Sequence, residues 1–241
     1  MRAASLDRLV ALGLHRFGWM GHDEASLLRR LVRPSMHVVD VGANIGLYSL
    51  LLARLVGESG SVLAFEPEPN LFAILRENCV SNNATNVTPF QCALGQVNGL
   101  ESFHRSVFHS GDNRLGHTSM GHDTVEVKVE RFDDLRPDSQ PDFVKIDVQG
   151  HELAALCGME RALSAKPDVR ILFEFSPAAL RKAETAPDLF LEFFRERGFE
   201  IYKTEGARLR KLRNSRQFIS DLRGRRYTNL LAARDRVKTD D

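Results

Sequence analysis

The chain has 241 residues, 43% of them hydrophobic and 27% charged, and its 33 Lys and Arg against 32 Asp and Glu leave a net charge of +1. That length buries a full core near the upper end of one domain, the charge balance offers no global field for nucleic acid, and no apolar run approaches the roughly 18–20 residues that cross a bilayer. Cys79, Cys92 and Cys157 are too few and too scattered for a disulfide framework or a Cys-x-x-Cys metal knuckle, and Arg2 and Arg8 precede no apolar core with a small-residue cleavage site, so a reduced, cytoplasmic protein is expected.

Residues 6–32 read as helical, with Leu6, Leu9, Val10 and Leu14 in one stripe before Gly18 and Gly21 interrupt it. A second short helix, 24–32, stops at Pro34. Residues 1–33 are therefore expected as an N-terminal helical segment ahead of a main domain, 34–241. A strand over 37–41 follows, then a helix over 47–56 that ends near Gly57. The next strand covers 62–65, Asn70 caps a helix reaching about Val80, and a third strand lies at 87–92.

Between Gly99 and Val129 this alternation breaks. Residues 100–107 and 124–129 read as strands around a loop containing Gly and His, an inserted hairpin at about 99–130. The fourth strand, 143–148, is apolar except for Lys145 and Asp147, as a strand buried on both faces should be. A helix at 151–163, a fifth strand at 169–175 and a helix at 187–197 come next. Two last strands, 199–203 and 227–232, flank a long basic connection. Five parallel strands closed by a terminal hairpin describe a seven-stranded α/β sheet, mostly parallel with a C-terminal antiparallel strand, better than a six-stranded dinucleotide fold.

The run Val38-Val39-Asp40-Val41-Gly42-Ala43-Asn44-Ile45-Gly46, with Glu66 ending the next strand, joins strand, glycine turn, helix, strand and carboxylate. That arrangement binds a nucleoside-bearing cofactor at strand carboxyl ends. A dinucleotide site requires G-x-G-x-x-G around a pyrophosphate. Here the spacing is G-x-x-x-G, and Asp40 before it would repel a pyrophosphate while suiting a cationic or zwitterionic ligand. S-adenosylmethionine fits, with its sulfonium, amino group and ribose and no phosphate. Gly42 and Gly46 let the backbone approach it, Asp40 can accept from its amino group, and Glu66 can accept the ribose hydroxyls. Ala43 and Asn44 in the turn and Tyr48 in the first helical turn complete the cofactor-facing set. Without a ligand, the same residues make a tight turn with a helix cap.

Asp147 ends a buried strand beside this crevice, where a charge needs a partner or a task. It can hydrogen-bond the cofactor's amino group, orient an acceptor hydroxyl or ligate a metal; Lys145, on the same face, equally offers a structural ion pair. His151 and Glu152 open the following helix. Glu152 suits the helix dipole, and His151 is the better base by its ordinary pKa. Glu174 ends the fifth strand. An alcohol benefits from proton removal as it attacks a methyl donor, so Asp147, His151 and Glu174 are the catalytic candidates. Asp147 and Glu174 could also supply oxygen ligands, but no third ligand has convincing spacing, and no metal is expected. His104, His109, His117 and His122, with Asp112 and Asp123, match no zinc pattern; the loop through Gly111-Asp112-Asn113-Arg114 is either an acceptor lid or solvated. The basic connection, 208–226, carries eight Arg and Lys against Asp221. It is a solvated loop or a binder of phosphate, carboxylate or a carrier-linked substrate. With only Phe218 and Tyr227 nearby for stacking, sequence-specific nucleic-acid binding is not expected.

Four blocks taken together, Asp-Val-Gly-Ala-Asn-Ile-Gly at 40–46, Phe65-Glu66-Pro67, Val144-Lys145-Ile146-Asp147-Val148-Gln149-Gly150-His151-Glu152 and Leu172-Phe173-Glu174-Phe175, resemble the FkbM-type S-adenosylmethionine-dependent methyltransferases. The resemblance runs in order from about residue 24 to 232, and the third block, followed by Leu156 and Gly158, is the most specific. It implies a class I, Rossmann-like methyltransferase fold, methylation of a hydroxyl on a small molecule, sugar or glycan, and a cofactor held by Asp40, Gly42, Asn44, Gly46 and Glu66. That family usually has an acid where this chain has Gln149. Nor does Asp147 begin the Pro-Pro-aromatic turn typical of methyltransferases acting on base or amide nitrogens. Two rivals remain. A nicotinamide-dependent (NAD(P)) oxidoreductase needs a third glycine where Leu47 and Tyr48 stand, and a catalytically silent S-adenosylmethionine-binding module is hinted at by Gln149 alone.

Overall fold

The computed structural model describes residues 22–104, 114–115, 124–222, 227–235, 237 and 239. The stripe from Leu6 to Leu14 lies outside these residues. So do Gly111, Asp112 and Asn113 of the expected lid, His109, His117, His122 and Asp123 of the inserted segment, and Arg223, Arg225 and Arg226 of the basic connection.

Helix α1 (His22–Leu31) has Asp23 and Glu24 in its first turn and Arg29 and Arg30 in its last, matching its dipole. Its Ala25, Leu27, Leu28 and Leu31 are buried. Then come β1 (His37–Val41), α2 (Leu47–Val56), β2 (Ser61–Phe65), α3 (Pro69–Ser81) and β3 (Val87–Phe90). The cap of α3 is not Asn70: Pro69 starts the helix, and the preceding Glu68 accepts from the Leu71 N–H at 2.7 Å. Asn70 sits inside the first turn and donates to Glu68 Oε1 at 3.3 Å.

The inserted segment is larger than a hairpin. Strands β4 (Ala93–Leu94), β5 (Gly99–His104), β6 (Arg114–Leu115) and β7 (Thr124–Glu130) form a separate four-stranded sheet in the order β4-β7-β5-β6. The expected antiparallel pair is β5 with β7, from Gly99 opposite Val129 to His104 opposite Thr124. The chain continues through α4 (Phe132–Leu135), β8 (Phe143–Ile146), α5 (Glu152–Cys157), α6 (Glu160–Ala165), β9 (Arg170–Phe175), α7 (Pro177–Lys182), α8 (Pro187–Glu196), β10 (Glu200–Glu205), β11 (Arg208–Lys211), α9 (Ser215–Asp221) and β12 (Thr228–Ala233). Where the pattern predicts one helix over 151–163, two form, and between them Gly158 packs so closely on the carbonyl of Gly95 that a Cβ would overlap it. Asp133 caps the second, accepting from the N–H groups of Arg161 at 2.8 Å and Ala162 at 3.0 Å.

The main sheet has eight strands in the order β11-β10-β12-β9-β8-β1-β2-β3. Neighbours from β9 to β3 are parallel, and β12 runs antiparallel between β9 and β10. The extra strand is β11: the basic connection is not a loop but contains β11 and α9. Leu209 is buried while Arg208, Arg210 and Lys211 are exposed, a charged edge that resists pairing with other chains. Arg210 pairs with Glu205 at 3.8 Å and Lys211 with Glu200. Among the described residues no helix is long and apolar enough to cross a membrane.

Strand alternation sorts side chains between two cores. Val39, Val41, Val144, Ile146, Phe173 and Phe175 enter one; Val38, Phe143 and Leu172 enter the other, with residues of α1 and α2. By that two-residue period Asp40, Lys145 and Glu174 belong to the α1–α2 face, and the register sets Asp40 beside Lys145 and Lys145 beside Leu172.

Candidate active site

The turn between β1 and α2 needs its glycines. Gly42 has φ 81°, Asn44 51° and Gly46 89°. A Cβ on Gly42 would overlap the carbonyl oxygen of Asp147, and one on Gly46 would come within 2.6 Å of Leu75 Cδ1. The N–H groups of Gly42 and Ala43 both donate to Phe65 O, at 3.0 and 2.9 Å. Glu66, just past β2, accepts from the N–H of Asn44 at 2.8 Å and of Glu68 at 2.9 Å, so this carboxylate joins the two strand-end turns. Burial pushes Glu66 up to about 7, while those two N–H groups pull the other way.

Asp40 is wholly buried. The Ser49 hydroxyl donates to its Oδ2 at 2.6 Å. Its Oδ1 alone, among buried side-chain polar atoms of the described residues, has no hydrogen-bond partner. Burial raises the Asp40 pKa, with Lys145 opposing. An orphaned carboxylate oxygen is expensive without a donor. Next to the positive-φ turn of Gly42, Asn44 and Gly46, it fits the ammonium end of an amino-acid cofactor.

Lys145 sits at the centre of the charges on this face. Its Nζ is 3.7 Å from Asp147 Oδ2, 4.0 Å from Glu24 Oε1 and 4.5 Å from the centroid of the Tyr48 ring. Burial works against this ammonium, but Asp147, Glu24, Asp40 and Glu174 outweigh it and raise its pKa. Tyr48 gives its ring face to Lys145 and its hydroxyl to Glu24 Oε2, at 2.7 Å. Glu24 is the residue that sequence reasoning missed. An acid in the first turn of a helix looks like a dipole partner, and nothing in the pattern marks this one as turned inward.

Beyond β8, Gln149 adopts φ 53° and its amide donates to Asp147 Oδ1 at 3.1 Å and to Glu174 Oε1 at 3.0 Å. Two of the three catalytic candidates are thus brought together. Glu174 is pushed up to about 9, chiefly by burial and then by Asp147 and Glu152. Glu152 holds the loop: its carboxylate accepts from the N–H of Gly150 at 3.0 Å and of Val148 at 3.2 Å, and burial raises it to about 7. His151 is half-buried at the N-cap of α5, its N–H donating to Val148 O at 3.4 Å. Among the described residues no three His, Cys, Asp or Glu side chains are grouped to hold a metal ion.

The family model described as the methyltransferase FkbM domain matches residues 40–201, from Asp40 through the Gln149 loop and Glu174 to β10. The chain belongs to the FkbM methyltransferase family. Among curated proteins this FkbM domain is 33% identical to the hexuronic acid methyltransferase AglP of Haloferax volcanii, with 52% of this chain and 51% of that one aligned. It is 30% identical to the 31-O-demethyl-FK506 methyltransferase FkbM of Streptomyces tacrolimicus, over 54% of this chain and 62% of that one. The FkbM domain here therefore spans only about half to three-fifths of the length of its curated relatives. Among solved structures, the O-methyltransferase TomG of Streptomyces achromogenes, in complex with S-adenosylmethionine, superposes with a TM-score of 0.53 at 14% identity, covering 96% of this chain and 90% of that one. The fold is that of class I methyltransferases.

Proposed function

We propose that the protein is an S-adenosylmethionine-dependent O-methyltransferase acting on a hydroxyl of a small molecule, sugar or glycan. The observation that carries this reading is the buried, unpartnered Oδ1 of Asp40 beside the positive-φ turn. When bound, the cofactor supplies a methyl group already activated on a sulfonium. Asp40 accepts from its amino group, Gly42, Ala43, Asn44 and Gly46 form its bed, and Glu66 receives the ribose hydroxyls. Tyr48 buttresses this bed through Glu24 and Lys145 rather than by a free hydroxyl.

The remaining tasks are positioning, water exclusion and removal of one proton. Asp147, partly exposed beside Lys145, borders the acceptor and positions it. Glu174, whose raised pKa keeps it protonated near neutrality, donates to the acceptor, and His151 takes the proton as the new bond forms. The 31-O-demethyl name of one relative and the hexuronic acid of another support a hydroxyl acceptor on a natural product or carbohydrate. The free thiols Cys79 and Cys92 favour a reducing, cytoplasmic setting.

Calorimetric titration with S-adenosylmethionine tests the reading. The unmodified protein is expected to bind and Asp40→Ala to lose binding; equal affinity in the two would refute it. Incubation with labelled S-adenosylmethionine and a host metabolite extract, followed by mass analysis, then identifies the product.

A further inference from the structure

We infer that Gln149 is the positioning residue of the acceptor end, its amide nitrogen holding the carboxylates of Asp147 and Glu174 together as a bound cation otherwise would. The two carboxylates come from separate strand ends, β8 and β9, and one nitrogen lies within 3.1 Å of both. The NH2 side donates to Asp147 Oδ1 and to Glu174 Oε1 whether or not Glu174 carries its proton, whereas a reversed amide oxygen would face the Asp147 carboxylate. The backbone at Gln149 is left-handed, φ 53°, a conformation that a β-carbon resists and that surrounding contacts must enforce. Those contacts are present. Next door, Gly150 has φ 107° and is pressed against the carbonyl of Ala179, and its N–H is held by the buried Glu152. The loop therefore fixes the amide, and the amide fixes the spacing of the pair.

An amide does this with two donors and no charge. It leaves Lys145 to offset Asp147 from the opposite side, at 3.7 Å. A carboxylate at position 149 would instead set three acids around one point, a donor set that suits a hard divalent cation. The role assigned to the pair in catalysis rests on the methyl-transfer reading; the holding of the pair by Gln149 does not.

The test uses the full chain and Mn2+ alone as probe, with binding followed by electron paramagnetic resonance. Gln149→Glu is expected to bind one Mn2+ at least tenfold more tightly than the unmodified protein, and Glu174→Gln in that background should abolish the gain. No gain in Gln149→Glu, or Mn2+ already bound by the unmodified protein and lost on Glu174→Gln, overturns the inference. Gln149→Asn provides a second measure. Asn tolerates the left-handed backbone but is too short to span both acids. Carbon NMR of the Glu174 carboxyl should then show its titration moved to higher pH, since Asp147 and Glu152 face it with only Lys145 opposing, and Tyr227 lies nearby. An unmoved titration overturns the inference as well. Failure of the unmodified protein to bind S-adenosylmethionine counts instead against the proposed function and leaves these readings intact.

Discussion

The Tyr48 hydroxyl donates to Glu24 Oε2 at 2.7 Å and so ties the first turn of α2 to the first turn of α1. Burial is the main force raising the pKa of both groups, with Lys145 and the hydroxyl lowering that of Glu24 and Glu24 raising that of Tyr48. Tyr48→Phe removes the donor and leaves the carboxylate buried. The expected loss is about 1–3 kcal/mol of stability, read as a lower urea midpoint; an unchanged midpoint would show the contact to be idle.

Lys145→Met takes the ammonium from among Glu24, Asp40 and Asp147. Removing one partner of a buried ion pair costs about 3–5 kcal/mol. The loss should shrink in acid, where the stranded carboxyls protonate. Chemical denaturation at pH 5 and pH 8 checks this, and equal losses at both would contradict it.

Glycine at position 42 is required twice, by its φ of 81° and by the carbonyl of Asp147 against it. Gly42→Ala is expected to lower stability by about 3 kcal/mol and to end cofactor binding. Gly99→Ala is the control. It has open space around it and should stay within about 0.5 kcal/mol of the unmodified protein.

Acidity should stabilise the unliganded protein. Glu66 and Glu152 stand at about 7 and Glu174 at about 9 in the fold, against 4.5 in the unfolded chain. Between those values the native state holds protons that the unfolded state has released, so stability falls as pH rises. It is fully present below about 4.5, declines through 7 for the first two residues, and declines on to 9 for Glu174. Thermal melts should follow that slope, and Glu174→Gln should flatten its upper part. A melting temperature that climbs from pH 6 to pH 9 is the contrary result.

His151→Ala is expected to lower turnover far more than cofactor affinity. Single-turnover assays beside calorimetry separate the two, and undiminished turnover removes His151 from the chemistry.

The parts of the molecule legible in its sequence are those written in short-range patterns. The β1–α2 turn announces itself by Asp40, Gly42 and Gly46, and β8 by an apolar run that contains Lys145 and stops before Asp147. Edge strand β11 gives no such sign, since Arg-Leu-Arg-Lys buries one side chain and the rest is solvated. The cap of α3 is legible in Pro69, which marks the first helical position and so points to Glu68 rather than Asn70. Glu24 was not legible, because its inward turn depends on α1 packing over the sheet face that Asp40 and Lys145 share. The joining of Asp147 to Glu174 through Gln149 likewise requires the spatial adjacency of β8 and β9.

Because β12 is threaded between β9 and β10, the β10–β11 stretch waits on a segment made after it. Until Thr228–Ala233 leaves the ribosome, β10 and β11 have only each other, and the rim of the sheet that carries Glu174 is unpaired. Nascent chains stopped short of residue 228 should therefore expose two sticky edges at once. In living cells, truncation there would be a hazard for aggregation before it was a loss of activity.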